Sequence, residues 1–320
     1  MINITLKQLR YFDALSRELH FGRAAESCSV TQPALSMQIQ ELELNLGVTL
    51  IERTRTGVQL TPQGIEIAGR AARILGDARD LIEFARHGET VLSGSLRLGV
   101  IPSVAPYMLP AVLPLLRQAF PDLELSVRET QTATLLSELA DAKLDVVLLA
   151  MPVKQSDIET ATLFEDRFVL ALPKALEVSG LVRATPDFVE QERLLLLEEG
   201  HCLRDQALAY CELRQSRSIN TFGASSLSTI VELVACGFGI TLLPEISLPI
   251  ETRGRDLRLM RFIDPEPART IGLAWRTTSP RKDDFKELAR IVREASAGLL
   301  TQAASIAPPP VKGSKVGRTT

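Results

Sequence analysis

Two thiols share one short stretch, His201-Cys202-Leu203-Arg204-Asp205-Gln206-Ala207-Leu208-Ala209-Tyr210-Cys211. Gly200 can reverse the chain ahead of it, and the residues after Cys202 are strong helix formers, so Cys202 is expected at or beside a helix N-terminus. Exposed amides there favour the thiolate, the form that attacks a peroxide or a disulfide, and Arg204 and a charged His201 would add to that bias. Nine residues of helix rise roughly 13.5 Å and turn the second sulfur about half a turn from the first. A disulfide needs Cα atoms within about 7 Å, so joining the two would unwind the helix. A redox switch is therefore one reading of the pair. Two unrelated thiols is the other, because four cysteines (28, 202, 211 and 236) in 320 residues is ordinary for a reducing compartment.

The elements that must hold this segment can be read from composition and periodicity. A chain with 45% hydrophobic and 23% charged residues and a formal net charge of −3 describes a globular protein of two or three domains. Apolar runs such as 146 to 151 are too short to span a bilayer, and the N-terminus has no signal-peptide core, so a cytoplasmic setting without membrane partners is expected. Residues 5 to 18, 21 to 28 and 32 to 46 read as helices, with Thr31 placed to cap the third and Pro33 in its first turn. Two short helices around a polar turn make a helix-turn-helix, and Gln32, Ser36, Gln38 and Gln40 would face base edges. Residues 50 to 61 read as two strands around a tip carrying Arg53 and Arg55, suited to phosphates. Charge does not carry this reading: Lys7, Arg10, Arg17, Arg23, Arg53 and Arg55 are balanced by Asp13, Glu18, Glu26, Glu41, Glu43 and Glu52. A helix from 62 to 87 bears an apolar stripe that needs a partner, expected to be the same helix of a second subunit, and a hinge follows it. From residue 95 strands and helices alternate. That predicts an α/β regulatory domain with a parallel sheet, in two lobes (94–166 with 270–302, and 167–269) joined by two crossing strands around a cleft. Residues 303–320, rich in Pro and Lys, are expected to be a disordered tail.

The series Phe21-Gly22-Arg23-Ala24-Ala25, Thr31-Gln32-Pro33-Ala34-Leu35-Ser36, Gln38-Ile39, Leu42-Glu43, Leu46-Gly47, Leu50, Arg53, Leu60-Thr61 and Gly64 resembles the LysR-type transcriptional regulators, over nearly the whole chain. Ile101-Pro102-Ser103, Gln131-Thr132, the run from Gly200 to Gln206, Cys211, Gly239 to Pro244, and Pro265 to Leu273 are similar to the hydrogen-peroxide-sensing members of that family. The resemblance implies a winged helix-turn-helix at 1–61, a linker and dimerisation helix with hinge at 62–93, and a regulatory domain of periplasmic-binding-protein type at 94–302. It implies a homotetramer that binds promoter DNA through Thr31, Gln32, Pro33, Ser36, Gln38, Gln40, Arg53 and Arg55, and activates antioxidant genes by recruiting RNA polymerase. No metal and no cofactor is implied, and the protein is not expected to be an enzyme. Cys202 would be the peroxidatic residue and Cys211 the resolving one, with a thiol reductant of the glutaredoxin or thioredoxin type resetting the pair. Ser103 and Thr132 would hydrogen-bond the peroxide, and His201 and Arg269 would polarise the site. Ser103 stands where these proteins usually carry Thr, keeping the hydroxyl and losing a methyl.

Two rival functions fit parts of the chain. A regulator of the same fold could sense a small organic effector in the cleft, but Arg204, Asp205 and Cys211 at their matching positions speak against it. A thiol peroxidase would need a peroxidatic cysteine but neither the helix-turn-helix nor the long helix. Cys236, at the end of an apolar helix, and Cys28 are expected to be packed in cores.

Overall fold

A computed structural model describes residues 3–54, 57–86, 91–178, 182–210, 219–221 and 224–309. It divides into two compact units, residues 1–90 with 137–145 and 278–281, and the remainder. Among the described residues no helix is long and apolar enough to cross a membrane.

The first unit contains α1 (Leu6–Glu18), α2 (Phe21–Ser27), α3 (Gln32–Leu46), β1 (Ile51–Thr54), β2 (Gly57–Leu60) and α4 (Pro62–Arg86). A capping box starts α1: the Gln8 amide donates to Thr5 Oγ1 at 3.2 Å and the Thr5 amide to Gln8 Oε1 at 3.0 Å. Thr31 takes the N-cap position of α3 without making a side-chain cap bond, contrary to expectation. Pro33, at the second helical position, has removed one of the two amides such a cap would receive. Gly47, at φ +69°, ends α3. Phe12, Leu15, Leu35, Ile39, Leu42 and Leu50 are fully buried, so the periodic apolar residues of α1 and α3 meet the first residues of the wing. Glu43 Oε1 fixes that wing by accepting the Leu50 and Ile51 amides at 2.7 and 3.2 Å.

The second unit begins with β3 (Gly94–Val100), α5 (Ala105–Ala119), β4 (Leu123–Glu129), the first turn of α6 (Thr132–Ala140), β5 (Val146–Ala150) and the long β6 (Ile158–Pro173). It continues through α7 (Pro186–Gln191), β7 (Leu194–Leu196), α8 (Cys202–Tyr210), β8 (Ile219–Thr221), α9 (Leu227–Ala235) and β9 (Thr241–Pro244). A 3-10 turn (Glu245–Ser247), α10 (Leu248–Glu251), β10 (Leu257–Met260), β11 (Ala268–Arg276) and α11 (Lys282–Ile306) complete it. The sheet is mixed, not parallel as the alternation predicts. The β3-β4, β3-β5 and β7-β8 pairs are parallel, but β11 is antiparallel to β5 and β6, and β6 is antiparallel to β9 and β10. The local crossovers give the parallel pairs; β11 arrives from far along the chain and inserts between β5 and β6.

Strand β6 passes from one half to the other: residues up to Arg167 pair with β11, and those from Phe168 pair with β9 and β10. The halves are also tied by side chains. Tyr107 of α5 and Ser228 of α9 both donate to Glu251 Oε1 at 2.8 Å. Burial, then the Glu251 carboxylate, push the Tyr107 hydroxyl well above the ordinary tyrosine range, so it stays a donor.

The tail begins later than the sequence suggests. Helix α11 runs to Ile306, Ala303 is fully buried and Ala307 is 6% exposed. The Pro308 and Pro309 carbonyls accept hydrogen bonds from Arg261 and Arg183, so 303–309 belongs to the fold. Residues 310–320 lie outside the described ones.

Two glycines in helices separate close approach from conformational cost. A Cβ on Gly64 would sit 2.0 Å from the Leu50 carbonyl oxygen, while one on the exposed Gly298 would meet nothing within 4 Å. Gly64→Ala is expected to destabilise the protein by about 1–3 kcal/mol, and Gly298→Ala to stabilise it by about 0.5–1 kcal/mol. Denaturant titration of both variants checks this; equal effects would contradict the placement of Gly64.

Candidate functional site

The neighbouring strands β3 and β4 place Val100 opposite Glu129, and the Thr130 amide donates to the Val100 carbonyl at 3.4 Å. The loops that follow them therefore leave the carboxyl edge of the parallel strands together, the usual position of a ligand site in such sheets. Ser103 lies in the first loop, just ahead of α5, and Thr132 opens α6.

Arg269, near the start of β11, is 3% exposed and commits its guanidinium to two neighbours. Nε donates to Asp166 Oδ2 at 2.9 Å, Nη1 to Ser103 Oγ at 2.7 Å and Nη2 to the Ser103 carbonyl at 3.0 Å. Both side chains of the Arg269–Asp166 pair have 0% exposure. Burial pushes the Asp166 carboxyl up, and the Arg269 charge and the Ile246 amide pull it back. These bonds commit Arg269 to Asp166 and Ser103. Because Ser103 Oγ accepts from Arg269, its own proton is left for another acceptor. Arg269 thus orients a hydroxyl donor.

Cys202 is the first residue of α8 and is half-buried. Ahead of it Gly200 has φ +92°, a left-handed conformation, and a Cβ there would sit 2.4 Å from Gln131 Oε1. Gln131 Nε2 donates to the Glu199 carbonyl at 3.4 Å, so the head of α6 lies against the turn that presents Cys202. Next to Gln131, Thr132 Oγ1 is buried with no hydrogen-bond partner among the described residues, and so is Oε1 of Gln206. Gln206 stands one helical turn from Cys202, on the same face. Sequence reasoning passed it over; the four-residue spacing from Cys202 was the available signal. A buried oxygen without a donor, such as Thr132 Oγ1, suits a small ligand that brings its own hydrogens.

His201 is 6% exposed with Nε2 3.9 Å from Glu198 Oε1, and Arg204 Nη1 donates to the Leu197 carbonyl at 3.1 Å. Cys211 lies outside the described residues. Cys28 is buried in the head, as expected, but Cys236 is exposed at the C-cap of α9. That helix buries Ile230, Val231 and Val234, and Cys236 falls past the last of them.

On α3, Gln32, Pro33 and Gln40 are exposed, while Ser36 and Gln38 are half-buried. Gln38 Nε2 donates to Glu41 Oε2 at 2.9 Å, leaving Gln40 the freer amide of the two. Met37, 61% exposed, lies beside these residues and was not anticipated. Arg53 lies on β1 opposite Val58, and Arg55 lies outside the described residues.

This architecture matches two family models: the bacterial regulatory helix-turn-helix protein, lysR family, over residues 6–65, and the LysR substrate binding domain over residues 89–297. The chain belongs to the LysR family of DNA-binding regulators. Within it, the chain is similar to OxyR. It is 39% identical over 295 residues to the DNA-binding transcriptional dual regulator OxyR of Escherichia coli K12, covering 92% of this chain and 97% of that one. A probable hydrogen peroxide-inducible genes activator of Streptomyces viridosporus is 44% identical over 297 residues, covering 92% and 95%. Full-length OxyR from Pseudomonas aeruginosa, solved as a point variant, superposes with a TM-score of 0.75 at 34% identity, covering 91% of this chain and 98% of that one. A hydrogen-peroxide-bound OxyR mutant of Corynebacterium glutamicum gives a TM-score of 0.64 at 35% identity, covering 94% and 97%.

Asp166→Ala leaves the Arg269 guanidinium buried without its counter-charge, which costs about 3–5 kcal/mol. Urea unfolding is expected to show a loss of that size; a loss below about 1 kcal/mol, the range of an exposed pair, contradicts the burial of the ion pair.

Proposed function

We propose that the chain is a hydrogen-peroxide-responsive transcriptional activator in which Cys202 is oxidised and then joined to Cys211. The observation that carries this reading is the Ser103 hydroxyl, held by Arg269 with its proton free, at the strand edge that also carries the unpartnered Thr132 Oγ1. Peroxide both donates and accepts, so it can accept a hydrogen bond from the Ser103 hydroxyl while donating one to Thr132 Oγ1. The Cys202 sulfur attacks one peroxide oxygen; the S–O bond forms as the O–O bond breaks. The other oxygen leaves as hydroxide and takes up the thiol proton as water. The Ser103 donor, aligned by Arg269, would stabilise the charge that develops on that oxygen. The Cys211 sulfur then attacks the sulfenic sulfur, an S–S bond replaces the S–O bond, and water leaves with the Cys211 proton. Because α8 runs from Cys202 to Tyr210, this second step requires the helix to unwind, a local refolding that an assembly can read. A dithiol reductant of the thioredoxin or glutaredoxin type would return two electrons and restore the thiols.

The output is promoter binding by the head. In this reading α3 enters the major groove with Thr31, Gln32, Pro33, Ser36 and Gln40 near base edges, and Arg53 and Arg55 approach phosphates. Ile74, Leu81 and Ile82 of α4, 47%, 69% and 49% exposed, offer an apolar face for pairing two heads. Assembly into a tetramer, recruitment of RNA polymerase and a cytoplasmic setting complete the reading by analogy with the family.

Thiol mass spectrometry before and after about one equivalent of peroxide, the stoichiometry of a single two-electron oxidation, tests the chemistry. A Cys202–Cys211 disulfide is expected in the parent chain, sulfenic acid at residue 202 in Cys211→Ser, and neither in Cys202→Ser. Peroxide induction that survives intact in Cys202→Ser would sink the assignment. For the head, Gln40→Ala is expected to weaken operator binding by about 1–3 kcal/mol, and Arg53→Ala to reduce the salt slope by about one. Unchanged footprints for both variants would remove the proposed DNA face.

A further inference from the structure

The end of the switch helix rests on a shelf that the C-terminal segment holds. Tyr210, the last residue of α8, packs edge-on against Phe262, with ring centroids 5.1 Å apart and planes at 77°. Phe262 is fully buried, and its carbonyl accepts from Arg183 Nη1 at 2.9 Å. The backbone around it is stitched to residue 184: the Ala184 amide donates to the Arg261 carbonyl at 2.8 Å, and the Ile263 amide to the Ala184 carbonyl at 3.1 Å. The two arginines that frame this shelf are the two that grip the chain beyond α11. Arg261 Nε donates to the Pro308 carbonyl at 2.6 Å and Arg183 Nη2 to the Pro309 carbonyl at 3.2 Å. Glu245 and Glu266 hold both guanidinium groups in place, through Arg261–Glu245 at 2.5 Å, Arg261–Glu266 at 3.2 Å and Arg183–Glu266 at 3.0 Å. This strap lies past residue 297, where the family match ends.

Resting on the reading that Cys202 and Cys211 join, we infer that residues 307–309 form a strap that steadies the Phe262 shelf under Tyr210 and so restrains the unwinding of α8. Tyr210 is a positioning residue for the resolving step. Leu203 and Ala207 are the buried anchors in the earlier turns of α8, and Tyr210 fastens the turn that leads directly into Cys211. Before the second sulfur can reach Cys202, that last turn must come off the shelf. The strap sets how readily it does, and leaves the attack of Cys202 on peroxide untouched.

The test separates the two chemical steps in the full-length protein, in a chain ending at Ala307, in Tyr210→Ala and in the combined variant. Sulfenic acid at Cys202 is trapped with a cyclic 1,3-diketone, and the disulfide is followed by quenched mass spectrometry. The sulfenic step should match the parent within about twofold in every variant, which also reports that the site is folded. The disulfide step should be about fivefold faster in the truncated chain and in Tyr210→Ala, the effect of losing one or two hydrogen bonds or one ring contact. The combined variant should be no faster than either alone, because both changes act through one shelf. Equal disulfide rates in the parent and truncated chains would overturn the strap, and multiplying effects in the combined variant would overturn its route through Phe262. If the parent itself forms sulfenic acid but no disulfide with Cys211, the underlying reading fails and takes the strap with it.

Discussion

A guanidinium with no exposure to water must find its counter-charge and its acceptors inside the protein, and Arg269 finds all of them at the junction of four chain segments. It sits on β11, pairs with Asp166 on β6, and holds both the hydroxyl and the carbonyl of Ser103 ahead of α5. Asp166 in turn accepts the Ile246 amide from the turn after β9. β6 and β11 are the strands through which the two halves of the second unit are built together, so one ion pair fixes that junction and the donor that faces the strand edge. Such a pair contributes little net stability against an apolar replacement. Its consequence is geometric: with Arg269 donating to Ser103 Oγ, the serine proton is turned away from the guanidinium.

Around that point the architecture joins a reactive sulfur to a structure that can change. Gly200 makes the turn that presents Cys202 as the first residue of α8, where the helix leaves amides without intrahelical partners. The same helix would have to be dismantled for a second sulfur to arrive nine residues later in the chain. Chemistry at the first turn and conformation at the last turn are therefore two ends of one short element, and the shelf at Phe262 belongs to the second end.

Local patterns were legible and long-range ones were not. The head could be read closely because α3, from Gln32 to Leu46, is bounded by Thr31 and by Gly47 in the left-handed region, and its apolar period is unbroken. Cys202 at a helix start could be read from Gly200 and the helix formers after it. The role of Arg269 could not, because Ser103 lies 166 residues away and Asp166 lies 103 away. The mixed sheet escaped for the same reason, since nothing local to β11 says that it will insert between β5 and β6. A segment with three consecutive prolines reads as disordered until Arg261 and Arg183, 47 and 126 residues distant, take up its carbonyls. Cys236 shows how one position decides an environment: the apolar run implies a core, and the cysteine falls where the helix ends.

If joining Cys202 to Cys211 dismantles α8, amide hydrogen exchange across residues 203–210 reports it most directly. In the reduced protein these amides should be protected as those of a short packed helix. After peroxide the protection of that segment should fall selectively, while the amides of β6 and β11 around Asp166 and Arg269 keep theirs. Unchanged exchange in 203–210 once the disulfide has formed would contradict the account.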